Sequence, residues 1–239
     1  MNLAFEEIIR KYADKIKNVV AFDPVQDQLL PLDFTASNTE LTDDILADTD
    51  RFSEWVTEKL HRHNAKYGIG GYNEHRTIYG RSSHFDLNEE PRRLHLGIDI
   101  WGPAETPVYN FYDAVVQSFA FNDNFGDYGA TIILQYQLDG VTFFALYGHL
   151  SLASLQGLSK GQFIEAGKQF ATFGVKEENG HWPPHLHFQL IFDLQGMEGD
   201  YPGVCQFSKR DFYLSNCPDP AAILRLTMES DHWNSVSNG

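Results

Sequence analysis

The chain has 239 residues, 42% hydrophobic and 14% aromatic, which suits one globular domain with an appendage. Its net charge of −15 argues against nucleic acid and anionic membrane as partners, because both are held by clustered Lys and Arg. No segment reaches the roughly 18 apolar residues of a membrane helix, and Glu6, Glu7, Arg10 and Lys11 interrupt the N-terminal stretch where a secretory signal is apolar, so a cytoplasmic protein is expected.

In chain order, Leu3, Ile8, Ile9, Tyr12 and Ile16 recur near a helical period and predict a helix over 3–18. NVVAFDP (18–24) reads as a short strand ending in a turn, and residues 24–40 have no period. Residues 41–65 predict helix in two pieces. The second is capped by Asp48, Thr49 or Asp50 and buries Phe52, Trp55, Val56 and Leu60, with His61 and His63 on the surface at its polar end. The glycine-rich YGIGGY (67–72) reads as a boundary and not a phosphate loop, since no Lys-Ser/Thr follows it. The expected division is therefore an N-terminal helical extension over 1–70 and a β domain over 71–230. TPV (106–108), AVVQSF (114–119) and ATFG (171–174) read as strands, and GLSKGQFIEAG (157–167) as a turn-rich pair of short segments. TIILQYQL (131–138) and VTFFALY (141–147), joined by Asp139-Gly140, have the pattern of a tight hairpin. Asp219 and Pro220 predict a short helix over AAIL (221–224), and the tail after Asp231 is expected to fray. Cys205 and Cys217 are too far apart for a C-x-x-C metal or redox motif and are expected as free thiols.

The chemistry concentrates in three short runs. LHLGIDI (94–100) alternates like a half-buried strand, placing His95, Gly97 and Asp99 on one face and Leu94, Leu96, Ile98 and Ile100 on the other. HLHFQL (185–190) alternates likewise, with His185, His187 and Gln189 on the polar face. His149 follows the second hairpin strand in YGHL (147–150). H-x-H and H-x3-D are each common by chance, but their joint occurrence in strand-like runs points to a metal, and two His plus one carboxylate is a usual ligand set for catalytic zinc. Imidazole is too soft a ligand for magnesium. Other hydrolase layouts fit poorly. His181 and His185 have i,i+4 spacing, but Pro183 and Pro184 forbid the helix that an H-E-x-x-H site needs, and no G-x-S-x-G elbow is present.

These runs, over about residues 92–192, resemble the lysostaphin/LytM-type zinc endopeptidases, the glycyl-glycine endopeptidases of peptidase family M23. The likeness rests on His95-Leu96-Gly97-Ile98-Asp99, Thr106-Pro107-Val108, YGATII (128–133), Tyr147-Gly148-His149-Leu150 and His185-Leu186-His187-Phe188, with KGQ (160–162) and AGKQ (166–169) matching only in part. Ala130 stands where the family often has Asn. The resemblance implies an α+β, mainly β fold, an antiparallel sheet groove with the metal on its floor. It implies zinc held by His95, Asp99 and His187, with His149 and His185 as the catalytic pair. It also implies a peptide or muropeptide substrate. Typical members are secreted, often basic, and many carry a wall-binding module. The acidic charge here departs from that pattern, so the substrate transfers less readily than the metal chemistry.

YNEHRTIY (72–79), just before this region, offers a groove wall, with Tyr72, Arg76 and Tyr79 as candidates for contacting a substrate carbonyl or carboxylate. His149 and His185 suit proton transfer because an unperturbed imidazole titrates near pH ~6.5. Two other classes compete. A non-hydrolytic regulatory module would keep the fold without turnover, and cleavage of a glycine-rich peptide separates it from the enzyme. A phosphocarrier with two facing histidines would need neither Asp99 nor a third histidine, and metal content separates it.

Overall fold

The computed structural model describes residues 2–86 and 90–225. Twelve strands are present among them: β1 (Leu29–Leu32), β2 (Tyr67–Gly70), β3 (Leu94–His95), β4 (Ile98–Trp101), β5 (Pro107–Tyr109), β6 (Ala114–Asn122), β7 (Gly129–Leu138), β8 (Val141–Leu150), β9 (Phe163–Ile164), β10 (Gln169–Thr172), β11 (His185–Ile191) and β12 (Val204–Cys205). Eight form one sheet in the order β1-β2-β4-β11-β8-β7-β6-β9. Its pairs are antiparallel except β1 with β2. β10 pairs with β5 and β12 with β3 in separate ribbons. The α+β, mainly β class follows directly. Helices α1 (Asn2–Lys11), α2 (Asp43–Ala47), α3 (Thr49–Arg62), α4 (Arg210–Asn216) and α5 (Ala221–Leu224) lie before and after the strands of the central hairpin. No described helix is long and apolar enough to cross a membrane.

The hairpin forms as its sequence dictates. Asp139 and Gly140 have φ of 50° and 81°, the left-handed pair that a two-residue turn needs to match the twist of β7 and β8. One sheet face is apolar throughout, with Ile98, Ile100, Ile132, Leu134, Ala145, Tyr147, Leu186, Phe188 and Leu190 in a single core. α1 covers part of it, with the Phe5 ring edge-on to Phe143 and Phe192. The other face carries two smaller clusters. One gathers Phe34, Phe52, Val56, Trp101 and Trp182, and the other Leu94, Leu96, Ile133, Leu146 and Ile191.

Residues 1–70 contain the expected helices, although the first ends at Lys11 and not near residue 18, and they also supply β1 and β2 to the same sheet. The expected boundary YGIGGY is thus largely a strand. Glycines serve there because a Cβ on Gly68 would lie 2.4 Å from Leu32 Cδ1, and one on Gly70 2.6 Å from Arg76 Nη2. Asp48 caps α3, its carboxylate accepting from the backbone N–H groups of Asp50 and Arg51. The expected strand at 18–24 does not form. Its backbone instead meets β5 at one point, Tyr109 N–H to Val19 O, next to a bond from the preceding Lys17 N–H to Phe111 O. LHLGIDI is not one strand either. It breaks after His95, so Leu94 and Leu96 enter the second small cluster while Ile98 and Ile100 enter the main core. Gly97 permits the break, because a Cβ there would lie 2.7 Å from His187 Cε1 and 2.8 Å from Phe188 O. α4 falls where the sequence suggested no helix. Cys205 and Cys217 are both free and buried. The tail expected to fray lies outside the described residues.

Candidate metal centre and catalytic cleft

β4 and β11 pair antiparallel, with His187 opposite Asp99 and His185 opposite Trp101. β8 flanks β11 on its other side, with Gly148 opposite His187. This register, with His95 arriving from β3, brings together the residues that the three runs held apart. His95 Nε2, His187 Nδ1 and Asp99 Oδ1 form a triangle with edges of 2.9, 3.0 and 3.2 Å. All three residues are buried. Zinc with bonds of about 2.0–2.2 Å sets tetrahedral ligand atoms roughly 3.3 Å apart, so the triangle has the size and the nitrogen and oxygen donors that this ion requires.

The outward ring nitrogens are held as well. His95 Nδ1 lies 2.8 Å from Gly71 O, and His187 Nε2 lies 2.9 Å from Gln189 Oε1. An N–H pointing at each oxygen leaves the lone pairs of His95 Nε2 and His187 Nδ1 facing each other. Gln189 shares the polar face of β11, so its position was legible in the alternation, but its role as an acceptor was not. Asp99 is held well below the usual carboxylate range: burial pushes it up, and its contacts with His95, the Arg76 guanidinium and His187 outweigh that push. Burial and then the Arg76 charge press His95 down to about 3, so its imidazole is neutral.

His149 and His185 stand beside this triangle with ring centroids 4.0 Å apart. His185 stacks on Trp101 at 3.9 Å, the planes 8° apart. Nδ1 of His149 lies 2.8 Å from Asn179 O, and Nδ1 of His185 lies 2.8 Å from Pro183 O. Nε2 is then the uncommitted nitrogen of each ring. Burial drives His149 well below its ordinary value, aided by His185, and drives His185 down to about 4. His149 has φ of 61°, unusual for a residue with a Cβ and a strain of ~1–3 kcal/mol that the surrounding fold must hold. Its backbone is held by its own N–H to Tyr128 O and by the Gly174 N–H to its carbonyl, and Asn179, behind the ring, is itself fixed. Fully buried, it donates to Gly174 O and Trp182 O and accepts from the Trp182 N–H. Nothing in the sequence marked Asn179.

Asp99, His187, His149 and His185 line one cleft of about 670 Å³, part of it open to solvent, walled by Tyr79, Phe85, Tyr128 and Trp182, with His95 buried behind it. Tyr79 and Arg76 of the expected wall line this cleft. Arg76 turns its guanidinium inward, to Glu74, Asp99, Tyr79 and Gly71. Tyr72 does not line the cleft. Its hydroxyl donates to Cys217 O.

Residues 93–198 match the model of peptidase family M23. This stretch is an M23 peptidase domain. No curated protein matches the chain. Among solved structures, the catalytic domain of the antimicrobial peptidase lysostaphin from Staphylococcus simulans is 23% identical, with 72% of this chain and 97% of that one covered and a TM-score of 0.43. A zinc-containing peptidase from Vibrio cholerae is 22% identical over 53% of this chain, spans only 32% of that chain and has a TM-score of 0.35. The catalytic domain of a mutant of EnpA, a prophage-encoded M23 protein from Enterococcus faecalis, is 21% identical over 46% and 79% of the two chains, with a TM-score of 0.35. The M23 domain contains His95, Asp99, His149, His185 and His187, whereas Gly71, Arg76 and Tyr79 lie before it.

Proposed function

We propose that this protein is a zinc metalloendopeptidase that hydrolyses peptide bonds next to small residues, in soluble peptides such as peptidoglycan-derived fragments. The observation that carries the reading is the donor triangle of His95, Asp99 and His187, with the opposite ring nitrogens already engaged. Those three residues would hold the metal. Zinc there supplies Lewis acidity, which polarises a carbonyl and lowers the pKa of water toward ~7.

The remaining work falls to the chain. His149 and His185 enter the reaction neutral, each with a free Nε2 at the cleft. One of them takes a proton from the attacking water onto its Nε2, and the pair returns that same proton to the departing amine, so both rings end neutral. Trp101 beneath His185 and the Asn179 carbonyl behind His149 fix the rings in place. Tyr79 is the member of the expected wall suited to meeting substrate, since its hydroxyl sits 3.2 Å from Arg76 Nη1 on the cleft lining. The aromatic walls favour small side chains, because bulky ones would hold the scissile carbonyl away from the floor. The charge of −15 disfavours an anionic polymeric wall as substrate and favours small soluble fragments.

The test combines elemental analysis of the purified protein with hydrolysis of oligoglycine, soluble muropeptides and intact sacculi. About one zinc per chain and cleavage of the soluble peptides are expected. A zinc-free protein, or zinc without cleavage of any peptide, overturns the reading. Faster clearing of sacculi than of any soluble peptide overturns the substrate.

A further inference from the structure

Arg76 is fully buried beside the floor, a costly place for a cation unless its partners are fixed. Its Nε donates to Glu74 Oε2 at 2.6 Å, and its Nη2 to Gly71 O at 3.1 Å. Its Nη1 donates to Asp99 Oδ2 and, at 3.2 Å, to Tyr79 Oη. Asp99 therefore has its two oxygens committed differently: Oδ1 faces His95 and His187, and Oδ2 faces the guanidinium. The same Gly71 carbonyl that accepts from Arg76 also accepts from His95 Nδ1. The backbone of this segment is tied alongside β3 by Asn73 N–H to His95 O, His95 N–H to Glu74 O and Arg76 N–H to Arg93 O.

Resting on the zinc reading above, we propose that Arg76 is a positioning residue. Held by Glu74 and Gly71, it occupies Oδ2 of Asp99 and confines that carboxylate to a single-oxygen ligand, while Gly71 orients His95. A carboxylate free on both oxygens can swing or bind through both. A planar guanidinium anchored at three other points prevents this, because its donors are fixed relative to one another. Lysine has the charge without the fork. The segment 71–76 lies outside the M23 domain, so part of what orients the proposed ligands comes from the preceding chain.

The experiment compares full-length wild type, Glu74→Gln/Arg76→Met, which removes both buried charges together, and Arg76→Lys, which keeps the charge. Zinc affinity is read by competition with a chromophoric chelator, and ligand geometry by the visible spectrum of the cobalt(II) form. Melting temperature of the metal-free protein reports the purely structural contribution. Zinc affinity should fall about 10–100-fold in each folded variant, the usual effect of removing a partner behind a metal ligand. The cobalt spectrum should change in band position and intensity as Asp99 is released. If the double variant fails to fold, Arg76→Lys alone decides. Wild-type affinity and an unchanged cobalt spectrum in a folded variant overturn the proposal while leaving the zinc reading intact. A wild-type protein that binds no zinc removes both.

Discussion

The M23 domain and the chain before it contribute to the floor in different ways. Residues 93–198 carry the side chains that converge there, namely His95, Asp99, His149, His185 and His187. The preceding residues bring no donor to the triangle. They bring the Gly71 carbonyl behind His95, Arg76 behind Asp99, and two strands that extend the sheet beyond β4. α3 adds Phe52 and Val56 to the cluster shared with Trp101 and Trp182, and Thr49 Oγ1 donates to His181 O in the loop leading to β11. A region rich in motifs thus relies on one that has none, and the two cannot be judged separately.

The most severe way to break this comparison is deletion of residues 1–66. The shortened chain is expected not to fold, because β2 loses β1 and the Trp101 cluster loses Phe34, Phe52 and Val56. Circular dichroism and limited proteolysis check this. A stable folded fragment beginning near Gly70 would show that the M23 domain stands alone. Next in size is His187→Ala, which should lose most of its zinc and with it all measurable hydrolysis. Full metal occupancy in that variant would show that the triangle is not the ligand set. His149→Ala and His185→Ala sharpen the contrast within the floor, since each should keep zinc while activity falls by ~10²–10⁴, the usual contribution of a proton-transfer group. Zinc loss as complete as in His187→Ala would erase the distinction between the two groups. Smallest is Asn179→Ala, which leaves the Trp182 N–H unpaired and should cost ~1–3 kcal/mol in denaturant unfolding, with little change in zinc content. A variant as stable as wild type would mean that the loop behind His149 is held by other contacts.

Much of this was open to reading along the chain. Alternation in HLHFQL (185–190) placed His185 and His187 on one face because a strand has a period of two, and Asp-Gly between two β-rich runs specifies its own turn. Those features are local, set by the geometry of neighbouring residues. The break at Gly97 was not legible, because it depends on His187 and Phe188, which come close only when β4 and β11 pair. For the same reason YGIGGY read as a boundary. Its glycines answer to Leu32 and Arg76, contacts that exist only in the folded chain.

The sequence by itself determined which chemistry is available: three histidines and a carboxylate on strand-like runs, and a fourth histidine at a strand end. Tertiary structure decided how that chemistry is divided. The register of β4, β11 and β8 sets which nitrogens converge on Asp99 and which are left facing the cleft. It also turned Arg76, a wall candidate by position, toward Asp99 and Glu74. A buried cation must find its partners wherever the fold brings them within reach, and no spacing along the chain encodes that distance.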